Sequence, residues 1–548
     1  MDDYYNLGSF TRDITAAHPD AKLWFNRGLV WCYGFHHEEA LRCFAKGVAA
    51  DPDSCMNHWG IAYATGPNYN KDWDFFGDTE LTDALATIRA SLPEAARCAT
   101  HSSDVEAALV AALAERYPED GGDDKATWHD RYAAAMRNVY AAHGADLDVA
   151  ALFAEAMMNR TPWSLWDLAT GSPADGADTL EARAVLEAAM ANEGGMAHPG
   201  LLHLYTHLME MSPTPEAALP AGDALRDLVP DAGHLQHMPT HIDVLCGHYE
   251  RVVSSNQAAI DADRKALERD GALNFYSLYR CHNYHFKLYG AMFLGDSKRA
   301  LEAGNEMADL LTPELLSVED PPMADWLEGF APMRLHVLIR FGLWEEILAT
   351  PFPEDRELYC TTAAMLHYAR TVAYAVTDRV SEASAEAALF EEARGLVPDS
   401  RYVFNNTCQD ILAIADAMLR GELEYRKGNI EDGFDHLRRA VHLDDSLPYD
   451  EPWGWMQPTR HALGALLLEQ ARLEEALAVY AADLGFDATL ARPCQHPDNV
   501  WSLAGMHECL ERLGRDAEAR MLAPRLAIAR ARADVPVEVS CLCRRSAA

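Results

Sequence analysis

Strand signals are scarce along this chain, and Ala, Leu, Glu and Arg dominate, so the pattern predicts helices throughout. The sharpest pattern is a period. In "LWFNRGLVWCYGFHHEEALRCFAKGVAADPD", Trp24, Gly28 and Trp31 place large, small and large residues on one helical face. Ala40, Phe44 and Gly47 follow on a second helix, and Pro52 stops it. This predicts one antiparallel helix pair over residues 21–54, in which small residues let the helices approach and aromatics fill the space between them.

That spacing is the tetratricopeptide pattern, and once phased it can be followed along the chain. Ala218, Gly222, Leu225 and Pro230 keep the second-helix spacing and start a unit at Pro199. The next unit starts at Gly233, with its turn glycine at Gly247. Gly295 and Ala300 phase a unit beginning near Cys281; Gly464, Ala476 and Tyr480 phase one near Gln457. "DVAALFAEAMMNRTPWSLWDLA" reads as a degenerate helix pair, and residues 312–324 and "FPEDRELY" as loops. The expected fold is therefore all-α, a tetratricopeptide-like α-solenoid of antiparallel helix pairs curved around a central pocket. Its expected regions are N-terminal repeats over 1–198, histidine-rich central repeats over 199–311, and C-terminal repeats with a short tail over 312–548.

The phase turns a crowd of histidines into a geometric expectation. Residues three and four apart share a helical face. His203, His207 and Glu210 then project together from one first helix, His234, His237 and His241 from the next, and His282 and His285 from the one after. In tetratricopeptide repeats that face of each first helix lines the concave groove, so all of them are expected to line one pocket. His461 holds the same place in a later unit, farther away. Imidazole is the commonest metal ligand, and pairs four apart on one helix hold a transition ion without distorting the backbone.

Composition and charge bear on partners and compartment. The chain's 548 residues exceed one simple core, and with 49% hydrophobic residues nothing suggests disorder. A formal charge of −39 argues against a phosphate-tracking surface and against anionic membranes. "MDDYYNLGSF" is acidic with no apolar core, unlike a signal peptide, and no stretch approaches the roughly 18 uncharged apolar residues of a membrane span. Twelve scattered cysteines suit a reducing compartment, with Cys541 and Cys543 in "SCLCRR" read as a solvated tail. The expected location is cytoplasmic.

The islands "FHHEEALRCFAKGVAADPD", "NHWGIAYATGPNYN", "LFAEAMMNRTPWSLWD", "HPGLLHLYTHLMEMSPTPEAAL", "GHLQHMPTHI" and "CHNYHF" carry a resemblance. In them the chain is similar, over nearly its whole length, to a group of bacterial tetratricopeptide-repeat proteins with a histidine-rich groove. The resemblance implies an α-solenoid with a histidine-rich pocket and carries no general activity with it.

No nucleophile elbow, phosphate loop, dinucleotide fingerprint or H-E-x-x-H pairing stands in a suitable context. The expected cofactor is a transition metal ion (zinc, iron, copper or manganese) on His203, His207, His234, His237 and His241. Glu210 is the candidate general base, and His282, His285 and Tyr205 are further catalytic candidates. Asn68, Asn70 and Asn283 are candidate polar groups on the cofactor side, where ligating imidazoles need partners for their second nitrogen. Three readings stay open: a water-activating metal enzyme of hydrolase or lyase type acting on a small molecule, an iron- or copper-dependent oxidoreductase at the same site, and a non-catalytic scaffold binding a peptide or protein. The expected partners are a small-molecule substrate, no nucleic acid and no membrane, with a homodimer left open.

Overall fold

The computed structural model describes residues 4–118 and 125–544. Among them the strands are a single two-residue pairing, Tyr402–Val403 antiparallel to Asn406–Thr407; helices carry the rest of the regular structure. The chain divides into two compact units, Met1–Ile242 with Asp261–Ala266, and Asp243–Ile260 with Leu267–Ala548. Each is all-α and built from antiparallel helix pairs, the tetratricopeptide-like solenoid construction the period predicts. No helix of the described residues is long and apolar enough to cross a membrane.

The first unit opens on the pair expected over 21–54, as helices Pro19–Tyr33 and His37–Ala50. Phe44 explains the pairing. A Cβ on Gly28 would lie 2.6 Å from its ring, and a Cβ on Gly60, in helix Cys55–Thr65, would lie 2.5 Å from it. Two glycines thus let two helices close on one fully buried aromatic. Later helices pack each on the one before, until Pro199–Glu210 returns to pack on both Leu147–Met158 and Pro19–Tyr33. Gly200 permits that return, since a Cβ there would sit 2.5 Å from the Tyr33 ring.

Two local expectations for this half of the chain are corrected. "DVAALFAEAMMNRTPWSLWDLA" forms one helix, Leu147–Met158, followed by irregular chain with a bridge between Trp166 and Pro173; the next helix is Thr179–Met190. Pro162 and Pro173 withhold backbone donors and bias the preceding residues toward extended chain, so the second helix does not form there. The repeat from Gly233 opens on two short helices, Gly233–His237 and Pro239–Leu245, because Pro239 has no N–H to continue the ladder.

The second unit repeats the glycine device around another aromatic. Cβ atoms on Gly464 and Gly505 would lie 2.5 and 2.3 Å from Tyr480, which joins helices Thr459–Glu469, Leu473–Asp483 and Val500–Arg512. The turn at Gly295, with φ 74°, links Ser277–Leu294 to Ser297–Leu310, so that repeat starts at Ser277 rather than near Cys281. Residues 312–324, expected as loop, contain a short helix, Pro313–Leu316, capped by Thr312. The C-terminal segment is not a solvated tail: Ser540 and Cys543 are buried. The Ser540 hydroxyl lies 2.6 Å from the Tyr480 hydroxyl and donates to the His461 carbonyl at 2.8 Å. Small Ala462 and Ala465 leave the space that Cys543 fills, and Cys541 and Cys543 are joined as a disulfide.

Candidate metal centre

Helix Pro199–Glu210 presents His203, His207 and Glu210 on one face, as their spacing dictates. Gly233–His237 adds His234 and His237, and Pro239–Leu245 adds His241. Ring centroids run 4.8 Å from His203 to His207, 5.6 Å on to His241, 4.7 Å to His237, 5.9 Å to His234 and 4.9 Å back to His203. Five imidazoles close a circuit inside the first unit. None is more than 2% exposed, and Glu210 is fully buried among them.

Hydrogen bonds decide which nitrogens face inward. The Nδ1 of His203 lies 2.5 Å from the Tyr33 carbonyl oxygen, which can only accept, so Nδ1 carries the proton and Nε2 the lone pair. The two Glu210 oxygens lie 3.0 Å from Nδ1 of His207 and 2.6 Å from Nδ1 of His241, fixing both rings the same way. The Nε2 atoms then approach one another, at 3.1 Å between His234 and His203 and 2.7 Å between His237 and His241. Lone pairs that close repel unless a proton or a cation lies between them. Burial pushes His203 down to about 3; burial and then the neighbouring His203 hold His234 well below the usual imidazole range. Both are neutral at ordinary pH, the form that ligates a metal.

Ligand atoms of His203, His207 and His234 lie within 4.8 Å of one another, as do those of His207, Glu210 and His241. These buried groups could hold a metal ion, and nitrogen donors with one carboxylate suit a transition metal. A three-ligand group also leaves a fourth tetrahedral position for water or substrate.

The walls of the circuit are aromatic, which the sequence reading missed. Phe35 lies 4.5 Å from His203, 5.8 Å from His207 and 5.6 Å from His234. Tyr69 and Trp163 lie 5.0 and 5.7 Å from His207. Phe35 has φ 55°, the left-handed turn conformation that Gly247, Gly295 and Ala471 take at the same place in their own helix pairs. Its signal was a large aromatic in the tight turn between the first two helices. The Tyr33 carbonyl, a backbone group, left no signal at all.

Tyr205 faces away from the imidazoles and donates its hydroxyl to Glu187 at 2.8 Å; burial, then Glu187, pushes that hydroxyl up to about 12. Asn68 accepts from the backbone N–H of Asn70 and Lys71 at 2.9 and 3.0 Å, closing a turn. His282, His285 and Asn283 belong to the second unit, on helix Ser277–Leu294. There His282 packs 4.7 Å from Phe404, and Nε2 of His285 lies 2.8 Å from the Met456 sulfur. His461, also in that unit, bonds Asp483 at 3.0 Å and Arg340 at 2.9 Å.

No family model matches the chain, and no curated protein matches it in sequence. Similar solved structures include an IFIT1 monomeric mutant with m7Gppp-AAAA, at TM-score 0.34 and 13% identity over 87% of this chain and 90% of that one. The human IFIT1 dimer with m7Gppp-AAAA scores 0.32 at 12% identity, over 87% and 90%. Naa15/Naa10 bound to HypK-THB scores 0.22 at 13% identity, over 93% and 70%. Likeness this low assigns neither a family nor a partner. It does correct the expectation that partners are confined to a small-molecule substrate with nucleic acid excluded, because chains in this comparison hold m7Gppp-AAAA or other proteins. The physical reason is that a net charge of −39 is a sum over the whole chain and does not set the field at any one surface.

Proposed function

We propose that the chain is a metal-dependent enzyme of the hydrolase or lyase class, its ion held by Nε2 of His203, His207 and His234. The observation that carries the reading is the anchoring of Nδ1 protons by the Tyr33 carbonyl and Glu210, which turns lone pairs of buried imidazoles toward one another. Structural ions take four protein ligands, whereas three imidazoles with an open position is a catalytic pattern. When bound, a zinc-like ion supplies Lewis acidity and lowers the pKa of its water. His241 and His237, 2.7 Å apart and backed by Glu210, form a path along which a proton leaves the reacting centre. Glu210, with both oxygens engaged by ring N–H groups, acts as a positioning residue and not as the general base.

Elemental analysis of protein purified without a histidine tag is the first test, followed by hydrolase and lyase screens on wild type and His203→Ala. Iron or copper in place of zinc moves the reading to an oxidoreductase at the same donors, with oxygen consumption as its readout. Wild-type protein that takes up no metal, or a His203→Ala variant with full activity, leaves the non-catalytic scaffold instead.

A further inference from the structure

A second cavity lies wholly within the second unit and shares no residue with the imidazole circuit. It measures about 300 Å³, the lower end of small-ligand sites, and is lined by the loop carrying Phe352 and Arg356 and by helices Cys360–Val376 and Val380–Arg394. Phe352 organises it. The guanidinium carbons of Arg356 and Arg370 lie 4.2 and 4.6 Å from the centre of its ring, and the His367 ring lies 4.5 Å away. Nδ1 of His367 is held by Glu386 at 2.7 Å, which fixes the imidazole in the wall.

The charges are unusual for this molecule. Most described arginines of this acidic chain sit against carboxylates, yet neither Arg356 nor Arg370 forms an ion pair among the described residues. Arg370 donates only to the carbonyls of Leu348 and Thr350, and its Nε is buried without a hydrogen-bond partner. Guanidiniums that have no carboxylate partner and gather at one ring offer forked N–H donors of the kind that take a carboxylate. The wall also carries apolar side chains, among them Leu389 and Leu396, which are 44% and 76% exposed. Glu386 and Glu392 also line the cavity and offset the two arginines, so the site has no excess positive charge to hold a second negative charge on a ligand.

The geometry points to a binding site for a small monocarboxylate with an apolar body, its carboxylate on Arg356 and Arg370 and its hydrocarbon against Phe352, Leu389 and Leu396. Titration calorimetry of the full chain with 3-phenylpropanoate, and with the neutral 3-phenylpropanamide, tests it. The acid should bind, the amide about tenfold more weakly or not at all, and Arg356→Gln should weaken the acid by about tenfold. Arg356 is exposed and bonds no backbone, so this variant keeps its fold, which circular dichroism checks. His203→Ala should leave the affinity unchanged. An amide that binds as tightly as the acid, or an Arg356→Gln variant that binds like wild type, overturns the proposal. Binding lost in His203→Ala but kept in Arg356→Gln assigns the carboxylate to the metal centre and overturns it too.

Discussion

Replacing Glu210 by Gln asks the most of the imidazole circuit for the least change in shape. In the wild type one carboxylate accepts from Nδ1 of both His207 and His241, at 3.0 and 2.6 Å. A glutamine keeps one acceptor oxygen and gains an N–H2 that can only donate. One of the two rings must therefore lose its hydrogen bond or move its proton to Nε2, and either way an oriented lone pair leaves the circuit. Loss of such an orienting partner costs roughly 10–100-fold in metal affinity, about 1.4–2.7 kcal/mol. Losing the His207 lone pair removes a ligand outright and carries the effect to the top of that range or beyond. The assay is competition with a chromophoric chelator on untagged protein, with circular dichroism reporting the fold. A Glu210→Gln variant that binds metal with wild-type affinity and stoichiometry refutes the assignment of Nε2 as the ligating nitrogen.

Phe44→Ala should cost about 3–5 kcal/mol, because the ring fills the gap that Gly28 and Gly60 open on either side; denaturant melts measure it, and a cost below 1 kcal/mol would mean the helices are held by something else. Chelation should lower the melting temperature of metal-loaded wild type and leave that of His203→Ala unmoved, since an ion that binds only the folded state stabilises by mass action. In the second unit His285 and His336 are fully buried, and burial pushes both down to about 3. Above about pH 6.5 neither the folded nor the unfolded chain protonates them and their contribution is flat. As pH falls from there toward 3, the unfolded chain takes up protons that the folded one refuses, so stability drops by up to about 1.4 kcal/mol per pH unit for each ring. His336→Gln should flatten the stability slope between pH 6 and 4, and an unchanged slope would count against a buried neutral imidazole there.

The repeat was legible wherever a small residue faces a large one. Gly28 against Phe44 and Gly464 against Tyr480 each fix a helix pair from spacing alone. What spacing could not show is that each aromatic is shared with a third helix, through Gly60 and Gly505, because those glycines sit outside the phased pair. Prolines caused the misreadings. Pro162 and Pro239 lie inside stretches whose apolar pattern is helical, and pattern counts side chains while proline acts on the backbone donor.

Spacing alone, and not its chemistry, made the imidazole circuit visible. Positions three and four apart put His203, His207 and Glu210 on one face, but ligation depends on which nitrogen carries the proton. That is decided by groups far away in the chain: the carbonyl of Tyr33 for His203, and for His241 a carboxylate on another helix. Pro239 then has a use that the helical pattern hides. Pro239 interrupts the hydrogen-bond ladder between Gly233–His237 and Pro239–Leu245 while Met238 keeps helical dihedrals, φ −52° and ψ −38°, so the missing N–H loosens the helix at the turn that carries His241. His241 thus meets Glu210 at 2.6 Å while its Nε2 stays 2.7 Å from that of His237. Replacing Pro239 by Ala restores the missing N–H and favours a continuous helix. If the break is what positions His241, Pro239→Ala should hold or raise thermal stability while weakening metal binding. Tighter binding in that variant, or no change, would show that the second helix is placed by its packing and not by the proline.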